Sequence, residues 1–489
     1  MSEFERYDAI VIGAGVAGLT AAADLGKRNV RALVLERHNV PGGCASFFQR
    51  DGYRFDVGAT LASGFGSRGV HRILNARLGV VVSPEVTEPA MVVHLPGVSV
   101  TRHGDQRWRA ERLRVFGPSA EPFWHAQERI AELAWDFSKD APPLPVDAAS
   151  IAAFLRALRP GHLPLALTLG RNVASIMPRP VPPPLRAFVD AQLLITAQTD
   201  AAHADLAYGC TALDLAREGT YHLADGISTI AESLARAVRR LGGRIRYNAV
   251  VGAIETERGR VHAVRLTDGT RIDCDRVIAA IPLQNTAALC PPLALKLRPR
   301  LAALPERWGA FTLYCGLPPG IVPPEMPLHH QFVTEYDAPP GEGNTVFLSL
   351  SGPADRRRAR NGGRAVTLST HTDVARWERA HRDDRTASLR ADYTRRLTAA
   401  LDRILPAASA RATLLEPADP HTFARYTARH RGLVGGTPQT PATAFLHAQS
   451  HRTPIRGLYL AGDTTFPGQS TVGATLGALN ASRAAAHHP

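Results

Sequence analysis

DAIVIGAGVAGLTAA, residues 8–22, followed by RALVLE, residues 31–36, decides the fold. Asp8–Gly13 is a short apolar run ending in glycine, the pattern of a strand buried on both faces of a parallel sheet. Val16–Lys27 is rich in small residues and predicts a helix, and Arg31–Glu36 predicts a second buried strand. Strand, glycine turn, helix and strand fit within about 30 residues, the size of one βαβ unit. The turn is Gly13, Ala14, Gly15, Val16, Ala17 and Gly18, a GxGxxG motif. Its first glycine permits the tight turn, the second lets a pyrophosphate approach the backbone, and the third lets helix and strand pack closely. The helix N-terminus adds free N–H groups and a partial positive charge. Glu36 lies eighteen residues after Gly18, near the ~20 expected of a carboxylate that binds a ribose hydroxyl. The unit reads as a dinucleotide site.

Working outward, Pro41-Gly42-Gly43 follows the acidic strand at once. Glu121–Phe137 has helical apolar spacing, and Ile227–Leu241 predicts an amphipathic helix. Gly243–Tyr247, Val250–Glu257 and Val261–Thr267 alternate like strands, with Thr267–Thr270 as a hairpin turn. Arg276–Ile281 predicts another buried strand. Ala354–Leu401 is arginine-rich and predicts helices with a solvated surface. The C-terminus returns to a buried strand at Gly457–Leu460, then AGDTTFPG, then a small-residue helix from about Val472. Sheet pieces therefore sit at the two ends and near the middle. This predicts one discontinuous domain over 1–75, 216–290 and 431–489, and a second over 76–215 and 291–430.

Composition bounds the function. The chain has 489 residues, of which 45% are apolar and 21% charged, which excludes a disordered or fibrous protein. No apolar run approaches the ~18 residues of a membrane span. Met1–Tyr7 is polar and leads straight into a strand, so the reading is a cytoplasmic protein without a signal peptide. The net charge of +13 has no basic stripe interleaved with aromatics, so nucleic acid is not the expected partner. That sign suits the cytoplasmic face of an anionic membrane. The cysteines Cys44, Cys210, Cys274, Cys290 and Cys315 are scattered without a CxxC pair. They fit free thiols in a reducing compartment, and with no metal-ligand pattern among the histidines no metal is expected.

Residues 148–189 contain no acidic residue, five arginines and a proline cluster at Pro178–Pro184. Two readings stay open there. One is a membrane-facing lid, with apolar side chains in the interface and arginines on headgroups. The other is core helices capped by a proline-rich loop.

At this point the sequence resembles the FAD-dependent amine-oxidase-like flavoproteins, and within them the carotenoid desaturases and isomerases. The resemblance rests on residues 8–22, VLERHNVPGGCASFFQRDGYRFDVGAT (34–60), 221–282, GLVGG (432–436) and GLYLAGDTTFPGQSTVGATLGALNASRAA (457–485). It implies an α/β fold, with a Rossmann-type FAD-binding domain of the glutathione-reductase kind and an inserted substrate domain of mixed sheet and helices. It also implies FAD as cofactor, Glu36 on the adenosine ribose and Val251 holding adenine through its backbone. Gly462 and Asp463 would meet the ribityl or phosphate region, and Thr471 and Val472 would pass under the flavin ring. Phytoene desaturases usually carry arginine after the glycine pair; here Cys44 follows Gly42 and Gly43. PGGCAS and FDVGAT look more like the C-3′,4′ carotenoid desaturases and the isomerase branch. By elimination Arg37 is left as the nearest cation.

Cys44 itself reads as a small residue packed where backbone nears the cofactor, and Phe466–Gln469 as a loop against the flavin. His329, His330 and His421 read as core or surface histidines, and no catalytic residue is assigned. The implied activity is a carotenoid desaturase of the C-3′,4′ type on an acyclic or hydroxylated carotene, with a peripheral place on the membrane. The alternatives are a carotenoid cis–trans isomerase using reduced flavin, and a non-redox prenyl-chain carrier of the same fold.

Overall fold

The computed structural model describes residues 7–486, so nearly all of the polar N-terminal segment lies outside the described residues. Its centre is a parallel five-stranded sheet. Strand β1 (Ala9–Ile12) is buried along its whole length and pairs with β2 (Ala32–Leu35) on one side and with Val277–Ala279 on the other. Arg244–Arg246 closes one edge against β2, and Leu458–Leu460 closes the other against Val277–Ala279. A sheet covered on both faces needs apolar residues at every position, which is why AIVI and ALVL read as unbroken runs.

Helix α1 (Val16–Lys27) joins β1 to β2 and is buried over most of its length. It packs against the last helix, Ser470–Ala486, and against Ser228–Arg240. Small residues on α1 and on the last helix allow the two backbones to approach. Between them the buried Asp24 accepts hydrogen bonds from Ser482 Oγ at 2.7 Å and from Arg28 Nε at 2.9 Å. A buried carboxylate persists only with such partners.

The expected hairpin is present: Val251–Glu257, Arg260–Leu266 and Arg271–Asp273 form an antiparallel meander, with Thr267–Thr270 as its second turn. The strand at 244–246 is not part of it. It runs parallel to β2 in the central sheet.

The second large sheet has seven strands, in the order Leu414–Ala418, Trp308–Leu317, Arg364–Asp373, Thr345–Leu350, His329–Val333, Met91–Leu95, Val98–Arg102. It corrects the helical, solvated reading of Ala354–Leu401. Only Val374–Arg382 and Thr386–Ile404 are long helices there. Arg364–Asp373 is a central strand paired over ten residues with Trp308–Leu317 and also with Thr345–Leu350. The arginines of 356–360 drew the reading outward. The β-branched run Val366, Thr367, Thr370, Thr372 decides for strand once neighbours cover it on both sides.

Segment 148–189 is core in its last part and exposed in its first. Leu185, Phe188 and Val189 lie in the helix Pro183–Ala197 and are core residues. Ala148–Ala157 and the turns of Pro160–Thr168 instead leave Ile151, Leu155, Leu163, Leu167 and Leu169 exposed, with Leu167 73% exposed.

Candidate cofactor site

The glycine turn follows β1 directly. Gly15 has extended backbone (φ −71°, ψ 175°), and a Cβ built on it would find only Gly42 O, at 4.0 Å. That open space is a cradle at the head of α1, where unpaired N–H groups and the helix dipole favour an anion. Gly18 is different in kind: its Cβ would lie 1.9 Å from Gly13 O, so any side chain there breaks the turn.

Gly42 and Gly43 form the opposite wall. Gly42 N–H donates to Ala14 O at 2.8 Å, and a Cβ on Gly43 would stand 3.5 Å from Gly15 Cα. Gly42 has φ +122°, a conformation that a side chain would strain. Cys44 follows, partly buried. Burial pushes its thiol pKa up, against the pull of Arg429 beside it. The thiol is therefore neutral at pH 7, which agrees with its reading as an inert packed residue.

Glu36 sits at the end of β2 under the turn. Its Oε2 accepts from Ala14 N–H at 2.7 Å and its Oε1 from His38 N–H at 2.8 Å. A carboxylate has about four lone-pair sites, so it retains capacity for a hydroxyl. Ala249 N–H donates to the Glu36 backbone carbonyl at 2.8 Å, which ties the approach to the meander, two residues before Val251, to the end of β2.

The C-terminal pieces arrive from the other edge of the sheet. Ala461 N–H donates to Ala279 O as the strand ends, and Gly462 and Asp463 follow. Thr471 lies in the first turn of the last helix and its hydroxyl meets His71 Nε2 at 3.1 Å. Burial pushes His71 down to about 4, so this contact is between neutral groups at pH 7. Val472 packs under Gly64. Phe466 and Pro467 do not stay on the polar side. They line an apolar cavity of about 330 Å³, together with Phe137, Phe154, Tyr208 and Leu476.

One sequence reading changes. Arg37 is exposed, and the cation against Cys44 is Arg429. Arg429 Nη2 meets Asp463 Oδ2 at 2.9 Å, and its side chain is 11% exposed. Nothing local in YTARHRG marks this arginine, since its partners lie far away along the chain. The histidines behave as read. Burial pushes His329 down to about 3 and His330 to about 4, and His421 is exposed.

With this geometry in hand, three similarities bear on identity. The chain is 29% identical over 500 residues to the chloroplastic prolycopene isomerase of Arabidopsis thaliana, covering 98% of this chain and 83% of that one. It is 27% identical over 296 residues to the neurosporene-forming phytoene desaturase of Rhodobacter capsulatus, covering 55% of this chain and 52% of that one. Its fold matches the cyclohexylamine oxidase of Brevibacterium oxydans with a TM-score of 0.62, at 16% identity, over 99% of this chain and 98% of that one. Residues 16–486 match the family described as flavin containing amine oxidoreductase. The glycine cradle, the carboxylate beneath it and the returning C-terminal loop have the chemistry that FAD requires. The chain belongs to the flavin-containing amine oxidoreductase family and is an FAD-dependent oxidoreductase.

Proposed function

We propose that this enzyme acts on an apolar polyene of the carotenoid class beside FAD held in the glycine cradle. The observation that carries the reading is the apolar cavity. It begins at Phe466 and Pro467, three residues beyond Asp463, and reaches the surface among Leu163, Leu169 and Leu446, which are 61%, 47% and 51% exposed. Of its ionisable side chains, His162 Nε2 meets Asp136 at 2.8 Å, Asp205 accepts from Tyr208 N–H at 3.0 Å, and burial pushes the Tyr208 hydroxyl pKa up. Such a largely apolar channel suits a hydrocarbon.

In this reading Ala14–Gly18 and Gly42–Cys44 surround the pyrophosphate, Glu36 holds the adenosine ribose and Val251 the adenine. Gly462 and Asp463 meet the ribityl chain, and Thr471 and Val472 lie under the flavin ring. FAD, when bound, supplies a two-electron acceptor or donor. The protein orients the polyene, excludes water and holds the cofactor. The division into 1–75, 216–290 and 431–489 against 76–215 and 291–430 is supported by the two main sheets, which draw their strands from separate stretches.

The reaction we propose first is cis–trans isomerisation without net oxidation. Prolycopene isomerases matched over 98% of this chain support it. Desaturation of the C-3′,4′ type is the second reading, favoured by PGGCAS and FDVGAT and by the desaturase relative. Expression in a host that accumulates a defined acyclic carotene separates them. Unchanged mass with altered isomer retention means isomerisation, and loss of two hydrogens with a red-shifted spectrum means desaturation. No change in any carotene supplied would overturn the substrate class.

Two further outcomes are expected. Glu36→Ala leaves the N–H groups of Ala14 and His38 without their acceptor and removes the ribose contact. Its FAD dissociation constant should rise by roughly 1.5–3 kcal/mol equivalent, read by flavin fluorescence titration. An unchanged constant would move the ribose site elsewhere.

The second concerns the membrane. No helix among the described residues is long and apolar enough to cross one. The exposed face of 151–169 is proposed to dip into the interface, with Arg156 and Arg171 near the headgroups. Leu163→Asp together with Leu167→Asp takes two exposed apolar side chains out of the proposed interface, about 3 kcal/mol or about a hundredfold in partitioning to anionic liposomes. Flavin content should not change. If the wild-type protein stays wholly in solution beside such liposomes at low salt, a carrier must deliver the polyene.

A further inference from the structure

We propose that Arg429, brought in from the far end of the chain, is the cation that faces the FAD pyrophosphate. The inference rests on the placement of FAD in the glycine cradle. The argument begins with position. Gly43 abuts Gly15 at the head of α1, and Cys44 is the next residue, one Cα step of about 3.8 Å further on. The guanidinium of Arg429 lies beside the Cys44 thiol, whose ionisation it favours, and reaches Asp463 Oδ2 at 2.9 Å. It therefore stands between the loop opposite the first glycine turn and the loop that follows the last strand.

Charge supports the same conclusion. The site presents two carboxylates, Glu36 and Asp463, and the pyrophosphate of FAD adds two negative charges. The partial charge of about +0.5 at a helix N-terminus cannot offset that sum. Arg37 is exposed to solvent, where its field is screened. Arg429 is a nearly buried full charge.

Donor capacity completes the case. Arg429 Nε donates to Leu433 O at 2.6 Å, and the other two partners are Asp463 and Cys44. A guanidinium has five donors in a planar fork, so two remain for phosphate oxygens. Asp463 then fixes the arginine rather than meeting phosphate itself, which removes the repulsion between two anions at this end of the site.

The test compares FAD, ADP and AMP binding to flavin-free protein. Arg429→Gln should weaken FAD and ADP at least tenfold and leave AMP within twofold, because AMP lacks the second phosphate. Cys44→Arg in the Arg429→Gln background should restore FAD binding by returning a cation to the same place. A structural role for Arg429 is separated by removing the pair together. Under the proposal, Arg429→Gln with Asp463→Asn binds FAD at least tenfold more weakly than Asp463→Asn alone. Equal affinities for those two proteins would overturn it and leave Arg429 a loop anchor. Equal weakening of AMP and ADP would do the same. If Gly15→Val retained its flavin, the cradle placement would fail. If Gly15→Val lost it while Arg429→Gln kept full FAD affinity, only the role of Arg429 would fail.

Discussion

Gly15→Val is expected to fold and to purify without colour. Gly15 has φ −71°, which every L-residue adopts, and the space in front of its Cβ is empty out to Gly42 O at 4.0 Å. The fold therefore tolerates a side chain. The ligand does not, because a branched side chain fills the volume through which a pyrophosphate reaches the N–H groups of α1. Flavin per protein should drop below about a tenth, while the far-UV circular dichroism and melting temperature of the apoprotein are kept. Gly18→Ala is the control for the opposite case: with Gly13 O 1.9 Å from the new Cβ, it loses the turn and the fold together. A folded Gly15→Val protein with normal flavin content would remove FAD from this cradle.

Deleting residues from Gly457 onward has the largest expected effect, and it falls on the fold before the cofactor. The deletion removes an edge strand of the central sheet and a helix buried along most of its length. Burial of Val472, Leu476 and Leu479 alone contributes roughly 5–9 kcal/mol. A domain's whole stability is about 5–15 kcal/mol. The truncated chain also bares the face of α1 that the last helix covers. It should be recovered from inclusion bodies, and any refolded fraction should hold no flavin. A soluble, yellow truncated protein would contradict the sheet order.

The sequence was most legible where local pattern and tertiary role agree. Val16–Lys27 was read to the residue because a glycine turn fixes one end and the small-residue run continues to the other. Gly42, Gly43, Gly462 and Asp463 were singled out by glycine turns next to buried strands and by the family resemblance, both carried by local sequence. Arg364–Asp373 was missed because most of it is buried on both faces, which erases the alternation, and the adjoining arginines imitate a surface helix. Arg244–Arg246 was found as a strand, but its place beside β2 was not, since a three-residue edge carries no information about its partner. Arg429 was invisible for a related reason. Its meaning lies in Cys44 and Asp463, and an ion pair between distant segments leaves no spacing to read.

The pairing of the first helix with the last has a consequence in time. A ribosome adds about 5–20 residues per second, so roughly 20–90 s separate the emergence of Val16–Lys27 from that of Ser470–Ala486. During that interval the apolar face of α1, and the carboxylate of Asp24 that awaits Ser482, lack their final cover. The glycine turn is written first and the helix that packs on α1 comes last, so this part of the core is completed late in synthesis.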